Sequence, residues 1–161
     1  MVAEVSDAAL IQSDDFYASF ISNAEWDRRT PHGKVADVID WRRLRSQVLE
    51  PLLRGEAAAW HAFDFDRGRT DGTYPLKSEP TRCRPTSVIV LEGAYSSRPE
   101  LTDLLSLSVL VDSAVGVRHS RLAAREDAVF LRSWHARWDD AEDHYFSEVR
   151  PKSSFDVVVV N

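Results

Sequence analysis

Four acids and a row of arginines are the residues in this chain best placed to do chemistry. Asp14 and Asp15 follow the apolar run Ala8-Ala-Leu-Ile-Gln12, and Glu92 follows Ser87-Val-Ile-Val-Leu91 and is itself followed by Gly93. Acids at the ends of buried strands gather on one rim of a sheet, where open α/β folds bind their ligands. Two such carboxylates could hold Mg²⁺ together with water and phosphate oxygens, since that ion takes few protein ligands. One of them could instead accept a proton from an attacking hydroxyl. Without a ligand, such acids cap the next helix or face water. Further on, Arg118, Arg121 and Arg125 recur at helical spacing, with Arg132 one heptad beyond. They form one stripe beside an expected buried stripe of Val115, Leu122 and Val129. Guanidinium groups on that edge suit a lid over a polyphosphate, and equally a solvated charged face. The fourth acid, Asp40, precedes Trp41-Arg-Arg-Leu-Arg-Ser-Gln-Val-Leu-Glu-Pro-Leu-Leu53 and is available as a helix N-cap and as a substrate-binding side chain.

The elements that must position these residues are legible as runs and periods. Ala8–Gln12 reads as a short strand running into a polar loop. Residues 41–53 carry apolar side chains at Trp41, Leu44, Val48, Leu49 and Leu52, which is helical spacing, with Gly55 just past the end and Pro51 straining the last turn. Residues 64–85, rich in Gly, Pro, Thr and charge, predict a loop or weak hairpin. Ser87–Glu92, Ser106–Asp112 and Phe155–Val160 are continuous apolar runs of the kind buried on both faces of a parallel sheet. A helical region from about 115 to 148 lies between the last two. Strands alternating with helices predict an α/β domain with a parallel sheet, here one domain over residues 1–161.

Composition narrows the function classes. The chain has 161 residues, 43% hydrophobic and 29% charged, enough for a core without staples. Its net charge of −6 is the reverse of a nucleic-acid binder's surplus, although seventeen of its twenty basic residues are arginine. Cys83, the single cysteine, excludes a disulfide framework and a multi-cysteine zinc site. No apolar run reaches the roughly 18 residues of a membrane span. The N-terminus has no signal-peptide pattern, so a cytoplasmic location is expected. The five histidines show no H-E-x-x-H pair, and His135 and His144 stand amid acids, so no transition-metal site is expected. Asp64-x-Asp66-x-Gly68 lacks the glycine and glutamate of a calcium loop. No G-x-S-x-G elbow supports a serine hydrolase. Trp134, Trp138 and Tyr145 share a helical stripe that predicts core packing over base stacking.

Taken in order, Ser13-Asp-Asp-Phe-Tyr17, Val88-Ile-Val-Leu-Glu-Gly93, Arg118-x-x-Arg121-x-x-x-Arg125-Glu126 and Phe155-Asp-Val-Val-Val159 resemble the uridine kinase-like P-loop kinases, whose relatives include nicotinamide riboside and pantothenate kinases. The resemblance covers nearly the whole chain. It implies a P-loop NTPase-like α/β fold and ATP-dependent, Mg²⁺-assisted phosphorylation of a hydroxyl on a nucleoside-like or vitamin-like acceptor. Asp14 matches the general base of the family's D-x-F-Y motif, and Glu92 the acid that organises Mg²⁺ with it. Arg118, Arg121 and Arg125 match lid arginines that close over ATP phosphates. Such roles fit phosphoryl transfer, where positioning and electrostatics do most of the catalysis. Phe63-Asp-Phe65 resembles the aromatic pair near the acceptor base. Gly68 stands where those kinases use a histidine, which argues against uridine itself.

The departure lies at the front. The family opens with a strand, a G-x-x-x-x-G-K-[ST] loop and a helix, and none of the glycines at 33, 55, 68, 72, 93 and 116 heads that pattern. Without its phosphate cradle the chain is expected to be inactive or nearly so. The reading is a kinase lacking about 30 N-terminal residues, through truncation or a misplaced start. The alternative is a P-loop-less remnant that binds a partner chain, or a second copy of itself as a homodimer, through sheet edges left unpaired. Neither reading calls for nucleic acid or a membrane.

Overall fold

The computed structural model describes residues 7–124 and 128–161. Strand β1 (Ala8–Gln12) runs into a 3₁₀ turn at Ser13–Phe16, and two short helices follow, α1 (Asn23–Arg28) and α2 (Pro31–Asp37). Each begins where the sequence supplies a cap. Ser22 and Glu25 exchange hydrogen bonds in a capping box, and the Thr30 hydroxyl accepts from Gly33 N at 3.2 Å ahead of Pro31. Asp40 caps α3 (Trp41–Leu44), its Oδ1 accepting from Arg43 N at 3.1 Å.

The expected helix over 41–53 is present, but not as one regular α-helix. A π-helical turn at Arg45–Leu49 separates α3 from α4 (Glu50–Leu53). Pro51 is the reason: with no N–H, and a ring that would strike the carbonyl four residues back, it fits only once the preceding turn has widened. Gly55 closes the element at φ 76°.

Strand β2 (Ala58–Trp60) pairs antiparallel with β3 (Thr81–Cys83), with a further bridge between Phe63 and Leu76, so the segment 64–85, expected as loop or weak hairpin, is mostly loop and its strand pairs with one upstream of it. Strand β4 (Val88–Glu92) pairs in parallel with β1, Gln12 opposite Glu92. After a 3₁₀ turn at Pro99–Leu104 come β5 (Val109–Asp112), α5 (Val115–Ala123), α6 (Ala128–His144) and β6 (Val157–Val160), the last parallel to β5.

The fold is α/β with parallel strands, as the sequence predicts, but among the described residues the parallel strands form two separate pairs, β1-β4 and β5-β6. The expectation that the apolar runs are buried on both faces is therefore corrected. All of β6 and alternate residues of β5 are exposed, Val111 at 61%, because among the described residues each of these strands has a neighbour on one edge only. The buried stripe expected to begin with Val115 and Leu122 on α5 is corrected likewise; the side chain of Val129, its third member, lies outside those described. No residue of that helix is buried, and Val115 is 56% exposed.

The core sits on the other side. Ile11, Phe16, Val38, Ile39, Leu44 and Leu101 are almost fully buried among β1, α2, α3 and the turns. Trp138 of α6 seals them, its ring 5.5 Å from Trp26 and 5.9 Å from Tyr17. The expected packing role of Trp134, Trp138 and Tyr145 holds. Polar clamps fix α6 in place: Arg137 donates to Asp27 at 2.6 Å, and the buried Lys34 ammonium donates to Asp140 at 3.0 Å.

Candidate active site

The register of β1 against β4 decides which acids can meet. Gln12 and Glu92 are Cα partners at the carboxyl ends of adjacent parallel strands, so Asp14, two residues beyond Gln12, turns over the end of β4. The turn is locked from below. Ser13 is fully buried and its hydroxyl donates to Ala94 O at 3.1 Å. Gly93 lies at φ 112°; a Cβ there would overlap the Ser13 hydroxyl and stand 3.5 Å from Asp14 Oδ1. Glycine is thus required for the ends of β1 and β4 to approach this closely.

Neighbouring acids have separate tasks. Asp15 turns inward, its carboxylate accepting from Trp60 Nε1 at 2.8 Å and its carbonyl from Phe63 N at 2.8 Å. Asp14 turns outward and, among the described residues, its carboxylate accepts no hydrogen bond. Partial burial, then the charges of Glu92 and Asp15, push the Asp14 carboxyl above its ordinary range.

Asp14 and Glu92 open into a cavity of about 1110 Å³ between the two parallel pairs. One wall is Val90–Ser97, the other Val109–Asp112 with Val115 and Arg118, and α6 contributes Trp134, Trp138 and Glu142. The inner edges of β4 and β5 thus face the same space. Tyr17 and Phe65 line the Asp14 end, packed with Phe63 in a tilted and edge-to-face aromatic group: Tyr17 to Phe63 is 5.4 Å, Tyr17 to Phe65 5.8 Å and Phe63 to Phe65 4.6 Å. Burial raises the Tyr17 hydroxyl well beyond titration, so that side chain stays neutral.

Residue types at this rim suit Mg²⁺. Asp14, in the turn after β1, and Glu92, at the end of β4, supply hard oxygen donors; burial first and then the Glu92 charge raise the Asp14 carboxyl, and a divalent cation would relieve that repulsion.

The structure brings together some of the residues singled out in the sequence and not others. Asp14, Glu92, Phe65 and Arg118 line the one cavity. Phe63 lies behind Phe65, buried, as its support. Arg118 crosses from α5 to an ion pair with Glu142 of α6. Arg121 does not line the cavity; its guanidinium reaches Asn161 Oδ1 at 3.4 Å. Asp40 is outside the cavity lining and is engaged in capping and in an ion pair with Arg43 at 3.7 Å. Arg125 lies outside the described residues.

Sequence reasoning passed over Asp112 and Lys152. Both line the cavity opposite Asp14, joined by two 2.8 Å contacts from the ammonium to the carboxylate. The rule that selected Glu92, an acid closing an apolar strand, applies equally to Asp112.

No protein-family model matches the chain, and no curated protein matches it significantly. Solved structures do. A possible uridine kinase from Bacillus stearothermophilus superposes with a TM-score of 0.67 at 17% identity, covering 95% of this chain and 72% of that one. A D-glycerate 3-kinase from Cryptococcus neoformans var. grubii covers 96% of this chain and 53% of its own at 14% identity, with a TM-score of only 0.40. The chain shares the α/β fold of that possible uridine kinase. Among the described residues no helix is long and apolar enough to cross a membrane.

Proposed function

We propose that this chain is the acceptor-binding and catalytic-base part of an ATP-dependent small-molecule kinase, acting on a hydroxyl of a nucleoside-like or vitamin-like compound. The observation that carries the reading is the outward-turned Asp14 beside Glu92 at the carboxyl ends of two paired parallel strands. In the transfer, the acceptor's O–H bond breaks and its proton goes to an Asp14 carboxylate oxygen. The acceptor oxygen bonds to the γ-phosphorus as the bond to the departing ADP oxygen breaks. A carboxyl raised toward the working pH takes that proton with more driving force than an ordinary aspartate. Arg118 balances charge on the phosphoryl oxygens from the far wall, and Tyr17 and Phe65 offer the acceptor an aromatic seat. Asp14 and Glu92 would hold Mg²⁺, whose contribution is to neutralise phosphate charge.

The phosphate cradle comes, in this reading, from a glycine-rich segment whose strand seats between β4 and β5. Both pairs are parallel and present their inner edges to one cavity. A strand parallel to both would join them into a sheet of order β1-β4-insert-β5-β6, with neighbours about 4.8 Å apart. The same open edges favour a second reading, a non-catalytic module that captures a partner's strand or a second copy of itself.

The intact mass and N-terminal fragments of the protein from its native source, together with its ATP turnover over a panel of hydroxyl acceptors, separate the two. A mass above 18.2 kDa with a glycine-rich, lysine-containing N-terminal fragment, and turnover that Asp14→Asn lowers by about 10²- to 10⁴-fold, supports the kinase. A mass of 18.2 kDa with no turnover on any acceptor removes it and leaves the binding module.

A further inference from the structure

A second cluster of ligating side chains lies where α5 meets α6. His119 comes from α5, and His135 and Asp139 from one face of α6, four residues apart. One ligand atom from each lies within 4.8 Å of the other two. His135 Nδ1 is 3.0 Å from Asp139 Oδ1, and the two imidazole rings stand 4.3 Å apart between centroids. Sequence spacing hides this group, because positions 119 and 135 fall on different helices and match no short motif.

We propose that His119, His135 and Asp139 form a zinc site that staples α5 to α6. Two imidazole nitrogens and one carboxylate oxygen are a zinc donor set, with a fourth position left for water. Zn–N and Zn–O bonds of about 2.1 Å place neighbouring ligand atoms of a tetrahedron about 3.4 Å apart. The His135–Asp139 separation of 3.0 Å lies close to that edge, and rotation of the exposed His119 side chain would bring the third ligand atom in from within 4.8 Å. Imidazole donors select zinc over magnesium, so this site and the Asp14–Glu92 rim take different ions.

A staple has a purpose at this position. α5 has no buried residue of its own, so little burial fixes it to the rest of the molecule. Arg118, next to His119, already reaches Glu142 on α6, and Asp139 lines the same cavity. Zinc at this junction would hold the arginine-bearing helix at one setting over the cleft.

The test is calorimetric titration of the tag-free, chelator-treated full chain with ZnCl₂, alongside cobalt loading read by visible absorption. One zinc per chain and the strong visible bands of tetrahedral cobalt are expected. His119→Ala and His135→Ala should each weaken zinc uptake at least about tenfold and abolish the cobalt bands. His61→Ala should change neither. Far-UV circular dichroism checks that the variants fold, which the exposure of His119 favours. Absence of saturable uptake, or uptake indifferent to both substitutions, overturns the site. Metal uptake is read directly, so the result stands apart from whether the chain is a kinase.

Discussion

The closest packing in the candidate site, between Gly93 and Ser13, gives the sharpest test of its architecture. Gly93→Ala does two things. It forces an L-residue to φ 112°, a strain of about 1–3 kcal/mol. It also drives a methyl group into the Ser13 hydroxyl, which must abandon its bond to Ala94 O, a loss of about 0.5–1.5 kcal/mol. Together the substitution should cost about 2–4 kcal/mol, a large part of the 5–15 kcal/mol typical of a domain. Ser13→Ala alone should cost about 1 kcal/mol, and it removes the oxygen that the new methyl strikes. The double variant should therefore be less destabilised than the sum of the singles by about 1 kcal/mol, leaving mainly backbone strain. Urea unfolding followed by fluorescence of the five tryptophans measures all four proteins. If Gly93→Ala costs less than about 1 kcal/mol and shows no coupling to Ser13→Ala, the ends of β1 and β4 are not clamped as described, and the placement of Asp14 over Glu92 loses its structural basis.

Two further predictions concern charge. The Asp14 carboxyl titrates above its ordinary value of 3.8 in the folded chain, so the native state binds that proton more tightly than the unfolded one. Stability therefore falls as pH rises from about 3.8 through the raised value and stays lower at neutral pH. Asp14→Asn should remove this decline, so the variant gains on the parent as pH rises from 4 to 7 in urea titrations run at about these values; a difference independent of pH would sink the assignment. Lys34 is 3% exposed and held by Asp140 on α6, so Asp140→Ala strands a buried ammonium and should cost about 3 kcal/mol. Lys34→Met, which removes the charge and keeps the packing, should be near neutral, and thermal unfolding of the two variants compares them directly.

Much of this protein is legible in its local chemistry. Asp40 announces its helix because a cap needs only a side-chain oxygen three residues ahead of an unpaired N–H; Ser22 and Thr30 cap α1 and α2 by the same chemistry, but those helices were not legible in the sequence. The parallel strands announce themselves as apolar runs, and the acids that follow β1 and close β4 announce Asp14 and Glu92 as a pair. What the linear order does not contain is which edge pairs with which and which way each side chain faces, because those are settled by contacts between residues far apart in sequence. Trp60, 45 positions away, draws Asp15 inward and leaves Asp14 to the cavity. Pro51 reads in sequence as a strained helix end, and only the folded chain shows the widened turn that absorbs it. The division into two parallel pairs, the bare surface of α5, the cleft shared by β4 and β5, and the meeting of His119 with His135 were all decided by tertiary packing. Composition and periodicity say that a side chain is apolar, charged or ligating; only the packed neighbours decide what it touches.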